Sequence, residues 1–157
     1  MSAELNIVGF DKVNEIFTKL SEEIAGKIGQ QAVKAATNIL LDGAKARVPE
    51  GKTGKLADSL MIRPVKGMLQ DGKIAYQVFA SRSKGKGGWH AHLVEFGTKP
   101  HDIKNVIIKG NFYPLIHHPG AKPQPFLRPT VAEDGQKAVN ELSKTLYEKA
   151  FRKLKKK

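Results

Sequence analysis

The stretch "HPGAKPQPFLRPT", residues 118–130, decides how the last part of the chain is arranged. Three prolines between positions 119 and 125 hold their φ angles at about −65°, so the segment is already close to extended geometry. It therefore loses little conformational entropy when it becomes ordered. The pattern predicts a stiff connector that presents Phe126 and Leu127 as apolar anchors just before a helix.

Two patterns predict the helix that follows this connector. Thr130 and Glu133 form a T-x-x-E capping box, in which each side chain bonds to a free amide at the start of a helix. Apolar residues then recur at helical spacing on one stripe: Val131, Ala138, Leu142, Leu146, Ala150 and Leu154. We expect an amphipathic C-terminal helix, followed by a basic tail at residues 155–157 that folding does not require.

The amino-terminal part predicts two more helices. Residues 13–24 carry apolar side chains at steps of three and four, which places them on one face. Gly26 and Gly29 weaken the helix near residue 27. An alanine-rich helical pattern covers residues 28–48, and Pro49 ends it because the residue before a proline is pushed out of the helical region.

The middle of the chain predicts strands. Residues 60–65 and 73–81 have strand-like composition, and Asp71-Gly72 between them is a turn pair typical of hairpins. The second of these strands has apolar side chains on both faces, which predicts a central position in a sheet.

A second pair of short strands is predicted over residues 102–110 and 111–118, whereas residues 89–97 fit either a turn of helix or a strand. Together these elements give an α+β fold over residues 1–157 as a single domain. It has N-terminal helices, a small, mainly antiparallel sheet of hairpins, and a C-terminal amphipathic helix.

Composition limits the class of protein. The 157-residue chain has no cysteine, so disulfides and thiolate metal sites are excluded. Neither a secretory signal nor an apolar run of membrane-spanning length is present, so we expect no membrane association. The net charge of +12 indicates either a polyanionic partner or a solubilising surface. The densest charge includes a flexible basic loop at 82–88, with Arg82, Lys84 and Lys86.

Candidate catalytic and metal chemistry is weak. Five histidines are present, and His90 and His92 would share one face of a strand, but their spacing matches no zinc pattern. No G-x-S-x-G nucleophile elbow or phosphate-binding loop occurs. We therefore predict no metal, no cofactor and no enzymatic activity. Basic residues around Trp89 leave open a nucleic-acid-binding function, through base stacking and charge.

Glu95 is a carboxylate in an apolar setting, and three roles are open to it. It could act as an acid or base, bond to the amides of the Gly97-Thr98 turn, or pair with Arg128. In the last case "VEFGT" and "PFLRP" form one latch whose anchor, Phe126, fits either the domain's own core or a pocket on a neighbour. The predicted latch residues are Glu95, Phe96, Gly97, Thr98, Pro125, Phe126, Leu127 and Arg128.

Three segments in this order carry a family resemblance: "AKARVPEGKTGKLADSL" (44–60), "HLVEFGTKPH" (92–101) and "HPGAKPQPFLRPT" (118–130). Together with the helix that follows, they resemble the tail-component or neck proteins of long-tailed bacteriophages and prophages, which join heads to tails or complete tails. The likeness runs from Gly9 to about Leu146. The chain departs from the shortest family members in a longer stretch between Thr98 and Pro125.

The resemblance implies a structural virion protein without catalysis. The expected protein is a ring-forming subunit at the neck or tail top, with six copies favoured over twelve, assembled in the cytoplasm of the bacterial host. Its implied partners are further copies of itself and neighbouring head-closure, tail-tube or tail-terminator proteins, with DNA passing through the lumen. The alternative is a basic nucleic-acid-binding phage protein.

Overall fold

The fold is α+β, as predicted, in a computed structural model that describes residues 18, 21–22, 24–49, 51, 54–66, 73–83 and 87–155. Contacts divide the chain into two compact units. The first consists of the described residues of Met1–Ile39, Arg63–Gln77 and Gln136–Lys157, and the second consists of those of Leu40–Ile62 and Val78–Gly135.

Some predicted features lie outside the described residues. They are most of the helix at 13–24, the Asp71-Gly72 turn, Lys84, Lys86 and the last two residues of the 155–157 tail.

Helix α1, Gly29–Arg47, confirms the alanine-rich helix. A π-helical turn, Ile24–Ile28, precedes it, and within this turn Gly26 leaves the helical region with φ −95° and ψ −118°. The glycine thus interrupts the helix where the sequence predicts weakness. The backbone amide of Val48 bonds to the carbonyl of Ala44 at 3.0 Å just before Pro49, so the last turn closes where proline stops it.

A short helix and a small sheet follow. Helix α2 spans Lys55–Ser59, and strands β1, Leu60–Pro64, and β2, Tyr76–Ala80, form a two-stranded antiparallel sheet. The prediction that β2 is central is wrong within the described residues, because β1 is its one partner there. Every residue of β2 is nevertheless half-buried.

The core of the second unit is built around Phe126. Ala44, Leu56 and Leu60 are buried with it in one cluster. Partly buried apolar side chains pack around this cluster: Leu41, Val48, Ala80, Ala91, Val94 and Leu127. Ala80 is the residue of β2 that packs on this cluster.

Strands β3, His101–Ile108, and β4, Asn111–His118, form the predicted second hairpin. Lys109 and Gly110 connect them with φ values of 49° and 85°, the pattern of a type I′ turn that matches strand twist. Pairing runs from Ile108↔Asn111 to His101↔His118, and the bridge Thr98↔Ala121 keeps the same register beyond the strands.

Residues 89–97 form helix rather than strand. A 3₁₀ turn, Gly88–His90, leads into helix α3, Ala91–Phe96. The prediction that His90 and His92 lie on one face of a strand is therefore wrong. His90 ends the 3₁₀ turn and His92 lies in α3, so the two-residue period of a strand does not apply.

Helix α4, Leu127–Leu154, is the predicted C-terminal helix, but it starts earlier than the capping box predicts. Thr130 lies inside its first turn and donates from Oγ1 to the carbonyl of Phe126 at 2.6 Å, so the capping-box prediction is wrong. The predicted stripe is also only partly correct, since Ala138 is 5% exposed whereas Val131 is 62% exposed. Thr130 and Asp134 are the buried residues on that turn instead.

Candidate interaction site at the start of the last helix

Glu95 is buried at the end of α3 and binds the beginning of α4. The residue is 2% exposed. One carboxylate oxygen, Oε2, accepts hydrogen bonds from the backbone amides of Phe126 at 2.7 Å and Leu127 at 2.9 Å. The other, Oε1, accepts from the amide of Arg128 at 3.2 Å. One side chain therefore takes up three successive amides of the connector and helix.

This arrangement meets a requirement of every helix. The first amides of a helix have no carbonyl partner within it, and they carry a partial positive charge. Glu95 binds the amides of Phe126, Leu127 and Arg128. The next residue, Pro129, has no amide hydrogen and needs no partner. A buried carboxylate is thus matched to a set of donors that would otherwise be unsatisfied.

The same hydrogen bonds keep Glu95 ionised. Burial raises the pKa of its carboxyl group, but hydrogen bonds from the amides of Leu127, Phe126 and Arg128 outweigh burial and lower that pKa below the ordinary value of 4.5. A general acid or base needs a pKa near the working pH and a free oxygen. Glu95 has neither, so the acid–base alternative is not supported.

Arg128 makes a weaker contact with Glu95 than the predicted latch requires. Its Nε lies 3.4 Å from Glu95 Oε1, and its side chain is 67% exposed. The guanidinium also sits over the ring of Phe96, 5.0 Å from the centroid. Because the Arg128 side chain is largely in solvent and its Nε contact is long, this ion pair contributes little to stability. The main partners of Glu95 are the backbone amides of residues 126–128. The sequence indicated the Gly97-Thr98 amides and the Arg128 side chain as partners, but not these amides.

The anchor of the segment lies in its own unit. Phe126 is fully buried in the cluster with Ala44, Leu56 and Leu60, and Leu127 packs against that cluster. Of the two alternatives, core or neighbouring pocket, the structure shows the core. Pro125 is exposed beside it. The prolines therefore guide the chain along the surface until Phe126 turns inward.

Backbone pairing joins the two quoted stretches. Thr98 and Ala121 exchange hydrogen bonds of 2.9 and 3.0 Å, and the amide of Gln124 donates to the carbonyl of Val94 at 2.8 Å. Gly97 has a φ of 70°, and a Cβ there would lie 2.5 Å from the Ala121 carbonyl oxygen. The close approach of the two segments therefore requires glycine at this position.

Arg47 forms a second polar cluster that the sequence did not reveal. Its Nη1 bonds to Asp134 at 2.5 Å and to the Gly43 carbonyl at 2.9 Å, and its Nη2 bonds to Glu133 at 2.6 Å. Hydrogen bonds first to Glu133 and then to Asp134 raise the pKa of Arg47. These pairs join residues 86 and 87 positions apart, and no local spacing pattern can indicate them.

A shallow groove lies beside the Glu95 cap, with a volume of about 230 Å³. Its lining brings Arg82 to the same place as Glu95, Phe96, Phe126 and Leu127. It can accept a small apolar group next to a cation. Glu95 already accepts three amides, so the groove offers a binding surface rather than a catalytic pair.

Comparison with protein-family models identifies what these elements belong to. Residues 11–97 match the family described as "Bacteriophage HK97-gp10, putative tail-component", which is more than half of the chain. The chain belongs to this HK97-gp10-like family. The family groups structural tail components of phages rather than enzymes. Curated proteins and solved structures give no match.

The HK97-gp10-like match ends within the site. It includes α1, the first sheet, α3 and Glu95, and it stops at Gly97. The β3–β4 hairpin, Phe126 and α4 lie beyond it. The residues matched by the family model therefore include Glu95 but not Phe126, Leu127 and Arg128, whose amides Glu95 binds.

The described parts of the chain contain neither a metal-ligand cluster nor a membrane-spanning helix. Within them, no three His, Cys, Asp or Glu side chains come together in a group that could hold a metal ion. His117 instead bonds to Asp102 at 2.5 Å, and His101 stacks on His118 at 5.0 Å between ring centroids. None of the helices in this described part combines the length and hydropathy that a membrane-spanning helix needs.

Proposed function

We propose that this tail component is a ring-forming subunit at the neck or tail top of a long-tailed phage or prophage. In this function it helps to join head and tail around the DNA channel, after assembly in the host cytoplasm. Membership of the HK97-gp10-like family supports the proposal, because that family is one of phage tail components. Six copies would form the ring.

The observation that carries the proposal is the amount of apolar side chain left at the surface. Large hydrophobic residues at 40% exposure or more occur in both units: Met61, Trp89, Phe96, Ile107, Ile108, Phe112, Tyr113, Leu115, Val131, Val139, Tyr147 and Phe151. Ile107 and Phe112 are direct neighbours across two paired strands, and contiguous exposed apolar surface of this kind is uncommon in monomers and marks interfaces. In a ring, neighbouring subunits would bury these apolar side chains.

The charge is compatible with a position around DNA. A net charge of +12 attracts a polyanion without sequence preference. A ring further requires head-to-tail interfaces, because contacts between two different patches can close into a circle. The basic charge of this chain would attract DNA, and its apolar surface in more than one place would supply the two different patches of a head-to-tail interface.

The decisive experiment removes the gene from the phage that encodes the chain. We expect the deletion lysate to contain full heads and complete tails that are not joined, as seen by negative-stain electron microscopy. Purified protein added back should restore joined particles, and mass photometry should give a closed oligomer. Normal virions without the protein would exclude the proposal. A monomer that binds DNA with a steep salt dependence, and that leaves heads and tails unjoined, would favour the nucleic-acid-binding alternative.

A further inference from the structure

The β3–β4 hairpin carries apolar side chains that its own unit does not cover. Ile107 is 69% exposed and its cross-strand partner Phe112 is 62% exposed. Next to this pair, Tyr113 is 40% exposed opposite Val106. Adjacent residues of a strand point to opposite faces, so both faces of the hairpin end carry exposed apolar groups.

Exposed apolar side chains leave a hairpin of only two strands with little stability of its own. Within the described residues, β3 and β4 contact chiefly each other. Two-stranded hairpins are marginally stable in water unless a hydrophobic face is covered. A buried aromatic side chain removes 150–250 Å² from water, so Phe112 and Tyr113 each leave roughly 100 Å² to be covered. The exposed apolar area therefore indicates that a partner covers the hairpin.

The charge of the hairpin indicates which kind of partner fits. Lys99, Lys104, Lys109 and Lys122 lie on the strands, the turn and the two flanks, and all are exposed. Asp102 is the only acidic residue between positions 99 and 122, and it bonds to His117. Apolar side chains bordered by lysines are complementary to an apolar groove bordered by carboxylates.

A second copy of this chain is a poor match for that description. The chain has 27 Lys and Arg residues against 15 Asp and Glu residues, so a second copy offers the hairpin lysines few carboxylates to pair with. Several of its described carboxylates are also already engaged: Glu95 by amides, and Glu133 and Asp134 by Arg47. The groove beside Glu95 is bordered by Arg82, which has the same sign as the hairpin lysines.

We propose that the β3–β4 hairpin is a docking arm that inserts its apolar end into a carboxylate-bordered groove on a different protein of the virion. The inference rests on the proposed function, because it places the chain among neighbouring virion proteins. It assigns contact with such a neighbour to residues 101–118. It also assigns self-association to surfaces outside the hairpin.

The probe is the pair of particles that the deletion phage accumulates, heads and tails, separated on a density gradient. Labelled protein is mixed with each fraction, and binding is measured by co-sedimentation. The test variant is Ile107→Thr/Phe112→Thr, because threonine keeps the strand preference while it removes the large apolar groups. The control is Gln136→Ala/Asn140→Ala, which changes two exposed polar residues of α4 that are outside the apolar surface assigned to neighbours.

A second pair of variants tests charge. Lys104→Glu/Lys109→Asp reverses two hairpin cations, and aspartate tolerates the positive φ of position 109. Lys144→Glu/Lys149→Glu makes the same change in net charge on exposed positions of α4. Thermal melts of all variants establish that each is folded, and mass photometry records the oligomer.

We expect the wild type to bind one of the two particle types. The Thr variant and the hairpin charge variant should each bind it at least about tenfold more weakly, with an unchanged oligomer. The α4 variants should bind normally. Full binding by the Thr variant would overturn the docking arm, and full binding by the hairpin charge variant would overturn the acidic partner. Loss of the oligomer in the Thr variant would instead identify a second copy as the occupant. Wild-type protein that binds neither particle would contradict the proposed function itself.

Discussion

The carboxylate of Glu95 lies 2.7 Å from the amide nitrogen of Phe126, although 31 residues separate them in sequence. This bond joins the end of α3 to the start of α4, and it places a buried charge next to the most buried aromatic ring of the second unit. Helix capping and core packing are therefore coupled at one point. A change in Glu95 should affect the position of Phe126, and the predictions below use that coupling.

Glu95→Gln should lower the free energy of unfolding by about 1–3 kcal/mol, because the new amide group faces backbone donors that it cannot satisfy. Arg128→Ala is the control, since its side chain is largely exposed and its loss should cost less than about 1 kcal/mol. Urea denaturation followed by circular dichroism measures both. Equal effects of the two changes would show that the ion pair, and not the amide cap, is the important contact.

The stability conferred by Glu95 should depend on pH. Its pKa is lowered in the folded state, so the unfolded state binds more protons as the pH falls through and below 4.5. Stability is then fully present above the unfolded-state value and is lost as the pH falls through the folded-state pKa. Urea melts between about pH 6 and about pH 3 should show a shallower decline for Glu95→Gln than for the wild type. Parallel curves would contradict the lowered pKa.

Phe126→Ala should lower the free energy of unfolding by about 3–5 kcal/mol, the range for deleting a buried aromatic ring. Phe96→Ala is a matched control one position after Glu95, because this ring is 64% exposed and its loss should cost less than about 1 kcal/mol. Thermal melts of the two proteins make the comparison. A stable Phe126→Ala protein that fails only to assemble would place the ring in a neighbour's pocket instead.

Two glycines in helices should respond to alanine in opposite ways. At Gly135 a Cβ meets nothing within 4 Å, so Gly135→Ala should stabilise the chain by up to about 1 kcal/mol through helix propensity. At Gly43 a Cβ would collide with the Asp134 carboxylate and lie 2.9 Å from Arg47 Nη1. Gly43→Ala should therefore destabilise by about 1 kcal/mol, because the paired Asp134 and Arg47 side chains must shift to make room. Stabilisation by both changes would exclude a close Arg47–Asp134 cluster.

Periodic and local signals in the sequence predicted most of the elements. The three-to-four spacing predicted α1 and α4, and the second pair of strands was predicted at nearly the observed bounds. The sequence also predicts Phe126 as an anchor, but it leaves open whether the pocket lies in the domain's own core or on a neighbour. These features depend on neighbours within a few positions, which sequence patterns report directly.

Features that depend on distant residues were missed or misplaced. Thr130 and Glu133 match a capping box, yet a carboxylate from α3 caps the helix, and the helix start moves to Leu127. Arg47 and Asp134 meet across 87 positions. In β2 the two-sided apolar pattern was assigned to a central strand, whereas Ala80 packs on the cluster around Phe126. In each case tertiary contact overrode a local preference.

The central structural claim is that Glu95 holds the amino end of α4, and amide hydrogen exchange tests it at the atoms concerned. The chain of 17.2 kDa is small enough for residue-resolved NMR. We predict that the amides of Phe126, Leu127 and Arg128 are protected in the wild type and exchange much faster in Glu95→Gln, while amides in the middle of α4 keep their protection. Fast exchange of these three amides in the wild type, or unchanged protection in Glu95→Gln, would contradict the claim.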